Sequence, residues 1–268
     1  MSDFSAKAES MRPAVLISAF MHTARRSLAG LLVGLALVAT PAAFAAGGGD
    51  LHAANVSLNN TGSLQNGAKL YFNYCSGCHA LRFMRYARIA EDLGLSEEQV
   101  TKNFMFTDAK FGETIHATID PNDAAEWFGK APPDLSLVVR ARGADWVYTY
   151  LKSFYVDPSR PIGWNNTVFP NASMPNPLWE LQGLQTATFK PGVNGAEQTL
   201  EKFELRQAGS ETPAKFDETA RDLTAFLQYV SEPAALHRKS IGIWVLLYLV
   251  VFTFLAWMLK NEYWKDVH

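Results

Sequence analysis

The chain has 268 residues, of which 48% are hydrophobic and 19% are charged, and its formal net charge is −2. This composition excludes an intrinsically disordered chain and is typical of a globular protein. The charges nearly balance, without a basic surplus, and we expect no nucleic-acid partner. The length predicts one sizeable domain with accessory segments.

The N-terminal region has the features of a secretory signal. Arg25 and Arg26 precede a short uncharged apolar run, which ends in a small–x–small site at residues 43–45. We therefore predict that residues 1–45 are a signal peptide, with Met21 as an alternative start. A permanent membrane anchor is the other interpretation, but the run is short for a bilayer.

The segment "CSGCH" (75–79) holds both cysteines of the chain and a histidine directly after the second. Three interpretations are open: a redox dithiol, half of a zinc site, and a covalent haem anchor. A zinc site needs four ligands, and the sequence has no second Cys/His pair. A thioredoxin-like dithiol follows a strand, whereas the preceding "LQNGAKLYFNY" has a helical pattern.

Haem attachment explains all three residues together. Two thiols three residues apart reach the two vinyl groups of the porphyrin, and the histidine that follows lies under the iron. Cys75 and Cys78 are therefore the predicted thioether positions, and His79 is the predicted proximal ligand. One such motif predicts one covalently bound haem c.

The methionines in the exported part of the chain are the candidates for the second iron ligand. Met84 is too close to His79 in sequence to reach the other side of the ring. Met105 follows a capping-box pattern and is expected on an apolar helix face, in the core. Met174 lies in a loop with prolines at 170, 175 and 177, which can hold a thioether in place. We predict iron ligation by His79 and Met174; the alternative is that Met174 fills a gap in the core.

A second apolar stretch, Ile241–Leu259, contains 19 residues without a charge. At about 1.5 Å per residue, a helix of this length spans roughly 28 Å, which matches the hydrocarbon core of a bilayer. A buried core helix is the alternative. Because the export signal directs residues 46–236 into the periplasm, we predict that residues 237–268 are a single-pass anchor in the inner (cytoplasmic) membrane, with a short cytoplasmic tail.

From about Gly67 to its end, the sequence resembles the cytochrome c1 family, the haem subunits of the cytochrome bc1 complex. The resemblance rests on the C-terminal anchor and on three stretches: "CSGCHALRFMRY", "APPDLSLVVRARGADWVYTYLKSFY" and "RPIGWNNTVFPNASMP". One departure is that many members have Met-Pro-Pro-Pro where this chain has "MPNP". The Met-Pro pair itself is kept.

The resemblance implies a mainly α protein: a cytochrome c fold with large loop insertions, plus one C-terminal transmembrane helix. In that fold an N-terminal helix crosses a C-terminal one. The small Gly67 would permit a close crossing, and the partner is "DETARDLTAFLQYV" (217–230). Four apolar residues of the partner share one helical face: Leu223, Phe226, Leu227 and Val230.

Three further site residues come from the resemblance alone. Pro133, with Pro132 as the alternative, would accept the Nδ1–H of the proximal histidine through its carbonyl oxygen. Arg142 would bind a haem propionate, and Trp146 would lie beside the haem. The competing interpretations are a simple turn at the prolines, a solvated arginine, and a tryptophan that only packs in the core.

The implied function is electron transfer in the respiratory chain. The Rieske iron–sulfur subunit would reduce the haem, and the haem would reduce a soluble or membrane-bound cytochrome c. Quinol chemistry would belong to the cytochrome b partner, so this electron-carrier subunit of ubiquinol–cytochrome c reductase needs no catalytic acid or base. Two alternatives remain: a monohaem subunit of another respiratory complex, and a haem enzyme or gas sensor with an open sixth position.

The net charge of the exported domain predicts the charge of the cytochrome c that accepts its electron. Residues 46–236 contain 16 Lys and Arg against 22 Asp and Glu, a net charge of −6. Acidic residues cluster at 91–98 and 197–204. Each cluster alone is typical of a solvated surface, but the negative field of the whole domain would steer a basic cytochrome c towards it.

Overall fold

The computed structural model describes residues 51–191 and 198–266. The predicted signal peptide, residues 1–45, lies outside these described residues. The described part is mainly helical, with three two-stranded antiparallel sheets, and the predicted fold class is confirmed.

Two crossing helices form the centre of the domain. Helix α1 (Thr61–Tyr74) begins where the Asn60 side chain accepts a hydrogen bond from a backbone amide of the first turn. Helix α8 (Pro213–Ser231) begins at Thr212, which caps it in the same way, with proline in the first position. Asp222 of α8 accepts hydrogen bonds from the Ser63 hydroxyl and the Asn66 amide of α1. The predicted crossing of the two helices is therefore present.

The core lies around this crossing. Its most deeply buried large side chains include Tyr71 of α1 and Tyr229 of α8. The four residues predicted to share the apolar face of α8 are all buried: Leu223, Phe226, Leu227 and Val230. Burial of such side chains stabilises the fold by about 1.5–3 kcal/mol each.

A compact segment follows α1 and covers one side of the core. It consists of β1 (Leu81–Arg85), α2 (Tyr86–Leu93), α3 (Glu97–Phe104), β2 (Thr114–Ile115) and α4 (Pro121–Phe128). The predicted capping box of α3 is present, since Ser96 and Gln99 bond reciprocally. Helix α3 ends at Phe104, so Met105 lies at its C-terminal end and packs, partly buried, against the core.

The next segment carries three of the seven predicted site residues: Arg142, Trp146 and Met174. It contains α5 (Val138–Arg142), α6 (Ala144–Lys152), β3 (Phe154–Val156), β4 (Trp164–Asn166) and α7 (Trp179–Gln182). Gly143 separates the first two helices at φ 90°, a conformation that favours glycine. Strands β3 and β4 form a short hairpin. The methionine loop, residues 167–178, carries Met174 and joins β4 to α7.

A long hairpin emerges before the last domain helix. Strands β5 (Gly183–Lys190) and β6 (Thr199–Ala208) pair antiparallel, from Gly183 opposite Ala208 to Lys190 opposite Thr199. The Gln185 amide of β5 donates to the carbonyl oxygens of Lys152 and Phe154, at 3.0 and 2.7 Å. The hairpin is thus fixed to the segment that carries Arg142, Trp146 and Met174.

The C-terminal helix α9 (Ala235–Tyr263) is long and apolar enough to cross a membrane, and its side chains are exposed in the isolated chain. It includes the predicted stretch Ile241–Leu259. Only three residues, 232–234, separate it from α8. This connection is a hydrogen-bonded turn, because the amide of Ala235 donates to the carbonyl of Glu232 at 3.0 Å.

Candidate haem site

The "CSGCH" segment forms a tight turn at the end of α1. The Cys75 amide still donates to the Tyr71 carbonyl at 2.8 Å, and the His79 amide donates to the Cys75 carbonyl at 2.8 Å. The two cysteines do not form a disulfide with each other: Cys75 is buried against the core, whereas Cys78 is exposed. The turn thus presents both thiols and the imidazole within one helical turn, as the motif predicts.

The two thiols are neutral at physiological pH. Burial raises the pKa of Cys75 to about 12, and the neighbouring Cys78 adds a smaller contribution. Burial also raises the pKa of Cys78 above its ordinary value. These cysteines therefore lack the depressed pKa of a redox-active dithiol.

His79 is held by a hydrogen bond on its far side. Its Nδ1 lies 2.8 Å from the Pro133 carbonyl oxygen. A carbonyl can only accept, so Nδ1 carries the hydrogen and Nε2 retains its lone pair. Burial lowers the pKa of His79 despite this bond, and the ring is therefore neutral, the form that binds a metal. The contact with Pro133 that the resemblance implies is present. That this contact orients an iron ligand stays a prediction.

The Pro133 carbonyl is positioned by a network that ties its loop to β1. The Leu135 amide donates to the Ala80 carbonyl at 2.9 Å. In return, the Arg82 amide donates to the Asp134 carboxylate, also at 2.9 Å. The loop therefore follows the segment directly after His79, and the neighbouring Pro132 is not the hydrogen-bond acceptor in this structure.

The methionine loop is shaped by two asparagines of β4. The Asn166 side-chain oxygen accepts from the amides of Val168 and Phe169, at 2.9 and 3.1 Å. The Asn165 side-chain oxygen accepts from the amide of Asn171, at 2.8 Å. These bonds satisfy the backbone of an irregular segment and give the loop a fixed course to Met174. Met174 itself is half-buried, and it lies near His79.

Three aromatic side chains form a cluster that contacts Met174 through Tyr150. The Trp146 ring stacks on that of Tyr150 at 5.0 Å between centroids, and it meets Phe169 edge-on at 6.4 Å. The guanidinium of Arg142 lies 5.1 Å from the Trp146 centroid and 5.9 Å from that of Phe169. Among the described residues this guanidinium pairs with no carboxylate, so it keeps its donors for an anion.

These donors fit a c-type haem. Two free thiols lie one helical turn apart, a neutral imidazole follows them, and a thioether from a separate loop is close by. Met105, the alternative thioether, instead packs against the core at the end of α3. The arrangement can therefore attach one porphyrin covalently and bind its iron with one nitrogen and one sulfur ligand.

Two residues of the site were not anticipated from the sequence. The Tyr71 hydroxyl donates to the His79 carbonyl at 2.6 Å, and the Tyr150 hydroxyl donates to the Met174 sulfur at 3.5 Å. The only sequence signal for Tyr150 is its position four residues after Trp146, which places both on one helical face.

Comparisons with known proteins agree with this site. The model of the cytochrome C1 family matches residues 52–267. Cytochrome c1 of Allochromatium vinosum is 48% identical over 240 residues, which cover 89% of this chain and 98% of that protein. A protein named ammonia monooxygenase gamma subunit, from Nitrosomonas europaea, is 42% identical over 206 residues, with coverages of 77% and 84%. Cytochrome c1 of Rhodospirillum rubrum is 29% identical over 245 residues, with coverages of 76% and 81%.

The resemblance seen in the sequence is thereby confirmed over most of the chain. A c-type haem bound covalently is implied by that membership, as is a role in electron transport, and α9 fits a membrane anchor. The chain belongs to the cytochrome c1 family.

Proposed function

We propose that this chain is the electron-transfer haem subunit of a cytochrome bc1 complex. It accepts one electron at a time from the Rieske iron–sulfur subunit and passes it to a soluble or membrane-bound cytochrome c. The observation that carries the proposal is the "CSGCH" turn, whose His79 is fixed by Pro133 while Met174 approaches from another loop.

Each residue of the site has a task in this function. Cys75 and Cys78 would hold the haem covalently, and His79 and Met174 would bind its iron. The bound haem supplies one-electron redox chemistry. With ligands from both His79 and Met174, the chain itself would keep water and small ligands from the metal. The Pro133 carbonyl orients the His79 ring and raises its basicity.

Arg142 and Trp146 form the polar end of the site. The guanidinium would bind a haem propionate through charge-assisted hydrogen bonds. The Trp146 indole holds this guanidinium by a cation–π contact. No group of the chain needs to act as a general acid or base, because quinol oxidation takes place in the cytochrome b subunit.

The domain works outside the cytoplasm. Residues 1–45 direct export, residues 46–236 form the periplasmic haem domain, and residues 237–268 contain the anchor with its short cytoplasmic tail. The haem site therefore lies on the periplasmic side of the inner membrane, where a mobile cytochrome c is found.

Purification of the tagged full-length protein from its own membranes tests the proposal. Cytochrome b and a Rieske protein should co-purify, and quinol should reduce the haem through them. The 42% identical ammonia monooxygenase gamma subunit favours a second candidate, a monohaem subunit of another membrane complex. Co-purification with a different complex, without cytochrome b, would support that candidate and overturn the first.

A further inference from the structure

The Tyr150 hydroxyl contacts the predicted sulfur ligand directly. Its oxygen lies 3.5 Å from the Met174 Sδ, with the hydroxyl as donor and the thioether as acceptor. A thioether sulfur has two lone pairs. One of them can accept this hydrogen bond while the other binds a metal.

Packing on two sides fixes the direction of this hydroxyl. The Tyr150 ring is nearly parallel to that of Trp146, at 8°, and it meets Phe154 edge-on at 4.9 Å between centroids. A phenol hydroxyl has an ordinary pKa of about 10, so it is protonated near neutral pH and able to donate.

The Asn166 side chain connects Tyr150 to the loop that carries Met174. The Asn166 amide nitrogen donates to the Tyr150 carbonyl at 2.9 Å, while its oxygen holds the amides of Val168 and Phe169. The donor residue and the loop that carries the acceptor are therefore positioned together, and the contact between hydroxyl and sulfur is built into the fold.

We propose that Tyr150 is a positioning residue that weakens the electron donation of the Met174 sulfur and thereby raises the reduction potential of the haem. This rests on the proposed ligation of the iron by Met174. A hydrogen bond draws electron density from the sulfur. Oxidised iron depends on that density more than reduced iron does, so the bond favours the reduced state.

The test compares Tyr150→Phe with Tyr148→Phe in the full-length, detergent-extracted protein. The first change removes the hydroxyl and keeps the ring that stacks on Trp146. The second removes a buried hydroxyl from the same helix, one that accepts from Lys152 at 3.2 Å and does not contact Met174. The readouts are the midpoint potential and the weak near-infrared band of the oxidised protein that reports sulfur ligation.

Tyr150→Phe should keep its covalent haem and its sulfur band, with a midpoint potential below that of the wild type. Tyr148→Phe should match the wild type. If Tyr150→Phe does not accumulate, Tyr150→Leu is measured in its place, and the same fall is expected.

An unchanged potential in the Tyr150 variant, with the sulfur band present in the wild type, would overturn this inference and leave the proposed function standing. An equal fall in Tyr148→Phe would also overturn it, since helix packing would then be the cause. A wild-type protein without the sulfur band would instead refute the Met174 ligation itself.

Discussion

Gly67 of α1 lies directly against the backbone of Asp222 in α8. A Cβ atom at position 67 would clash with the Asp222 carbonyl oxygen and come within 2.7 Å of the Phe226 Cβ. The spacing of the two helices therefore depends on the absence of a side chain at this residue. Because α1 leads into the "CSGCH" turn, the crossing also sets where the predicted haem-binding residues lie relative to the core.

Gly67→Ala should therefore destabilise the domain although alanine is the better helix former. Overpacking of a tight contact typically costs about 1–3 kcal/mol, and here the obstacle is backbone that cannot rotate away. Thermal unfolding of the detergent-extracted protein measures the loss. Gly62→Ala, at an exposed position of the same helix, is the control and should be neutral or stabilising. Equal stability of both variants would contradict the tight crossing.

Met174→Ala should leave the haem attached but remove its sulfur ligand. We expect the near-infrared sulfur band to disappear, the midpoint potential to fall, and the reduced protein to bind carbon monoxide. Met105→Ala removes the same kind of side chain from the edge of the core and should retain the band. Persistence of the band in Met174→Ala would make Met105 the candidate ligand and would contradict the site described above.

Replacing both Cys75 and Cys78 by alanine should abolish covalent haem attachment. We expect the haem stain of denaturing gels to vanish and the amount of protein to fall, because the domain would have to fold without its covalently bound cofactor. Met174→Ala is the comparison, because its thioether bonds remain and its stain should survive. A double variant that stains as strongly as the wild type would exclude a c-type haem.

Acid should weaken the β3–β4 hairpin through Asp157. Hydrogen bonds from the Ser159 hydroxyl and the Asn165 amide hold the pKa of this carboxyl below its ordinary value of about 3.9. The charged form therefore stabilises the fold above the unfolded-state pKa, and this contribution is lost as pH falls through the folded-state pKa. Unfolding temperatures from pH 6 to pH 2.5 should fall less steeply in Asp157→Asn, with Ser159→Ala in between. Parallel curves for all three proteins would refute this role.

Electron transfer to a basic cytochrome c should slow as ionic strength rises. The domain carries a net charge of −6 between residues 46 and 236, and such a field speeds association until salt screens it. At 0.1 M salt the screening length is about 10 Å. Stopped-flow measurement of the second-order rate tests this, with an acidic cytochrome c as the control. A rate that is flat or rises with salt would show that docking is apolar.

The local features of this fold could be predicted because each depends on neighbouring residues. The Ser96–Gln99 capping box, the buried face of α8 and the "CSGCH" turn all follow from spacings of three or four residues. The contact between His79 and Pro133 could be predicted only from the family resemblance, because no local pattern indicates it. The structure then distinguishes Pro133 from Pro132 by hydrogen-bond geometry.

The features that were not predicted arise from distant parts of the chain. Strand β6 is exposed on both faces over most of its length, so its sequence lacks the alternation that marks a half-buried strand. Part of what the resemblance describes as loop insertion is therefore an ordered hairpin. The contact between Tyr150 and Met174 was also missed. It joins residues 24 positions apart, and no local pattern indicates such a contact.

The three-residue connection between α8 and α9 limits how the haem domain can move. Residues 232–234 could reach only about 10 Å even if fully extended, and they are folded into a turn. A domain of this size has a radius of gyration of about 16 Å, so it cannot travel a distance comparable to its own width. A haem bound to this domain would therefore stay within about one domain width of the membrane anchor. Any protein that gives an electron to this haem, or takes one from it, would have to move to the haem domain.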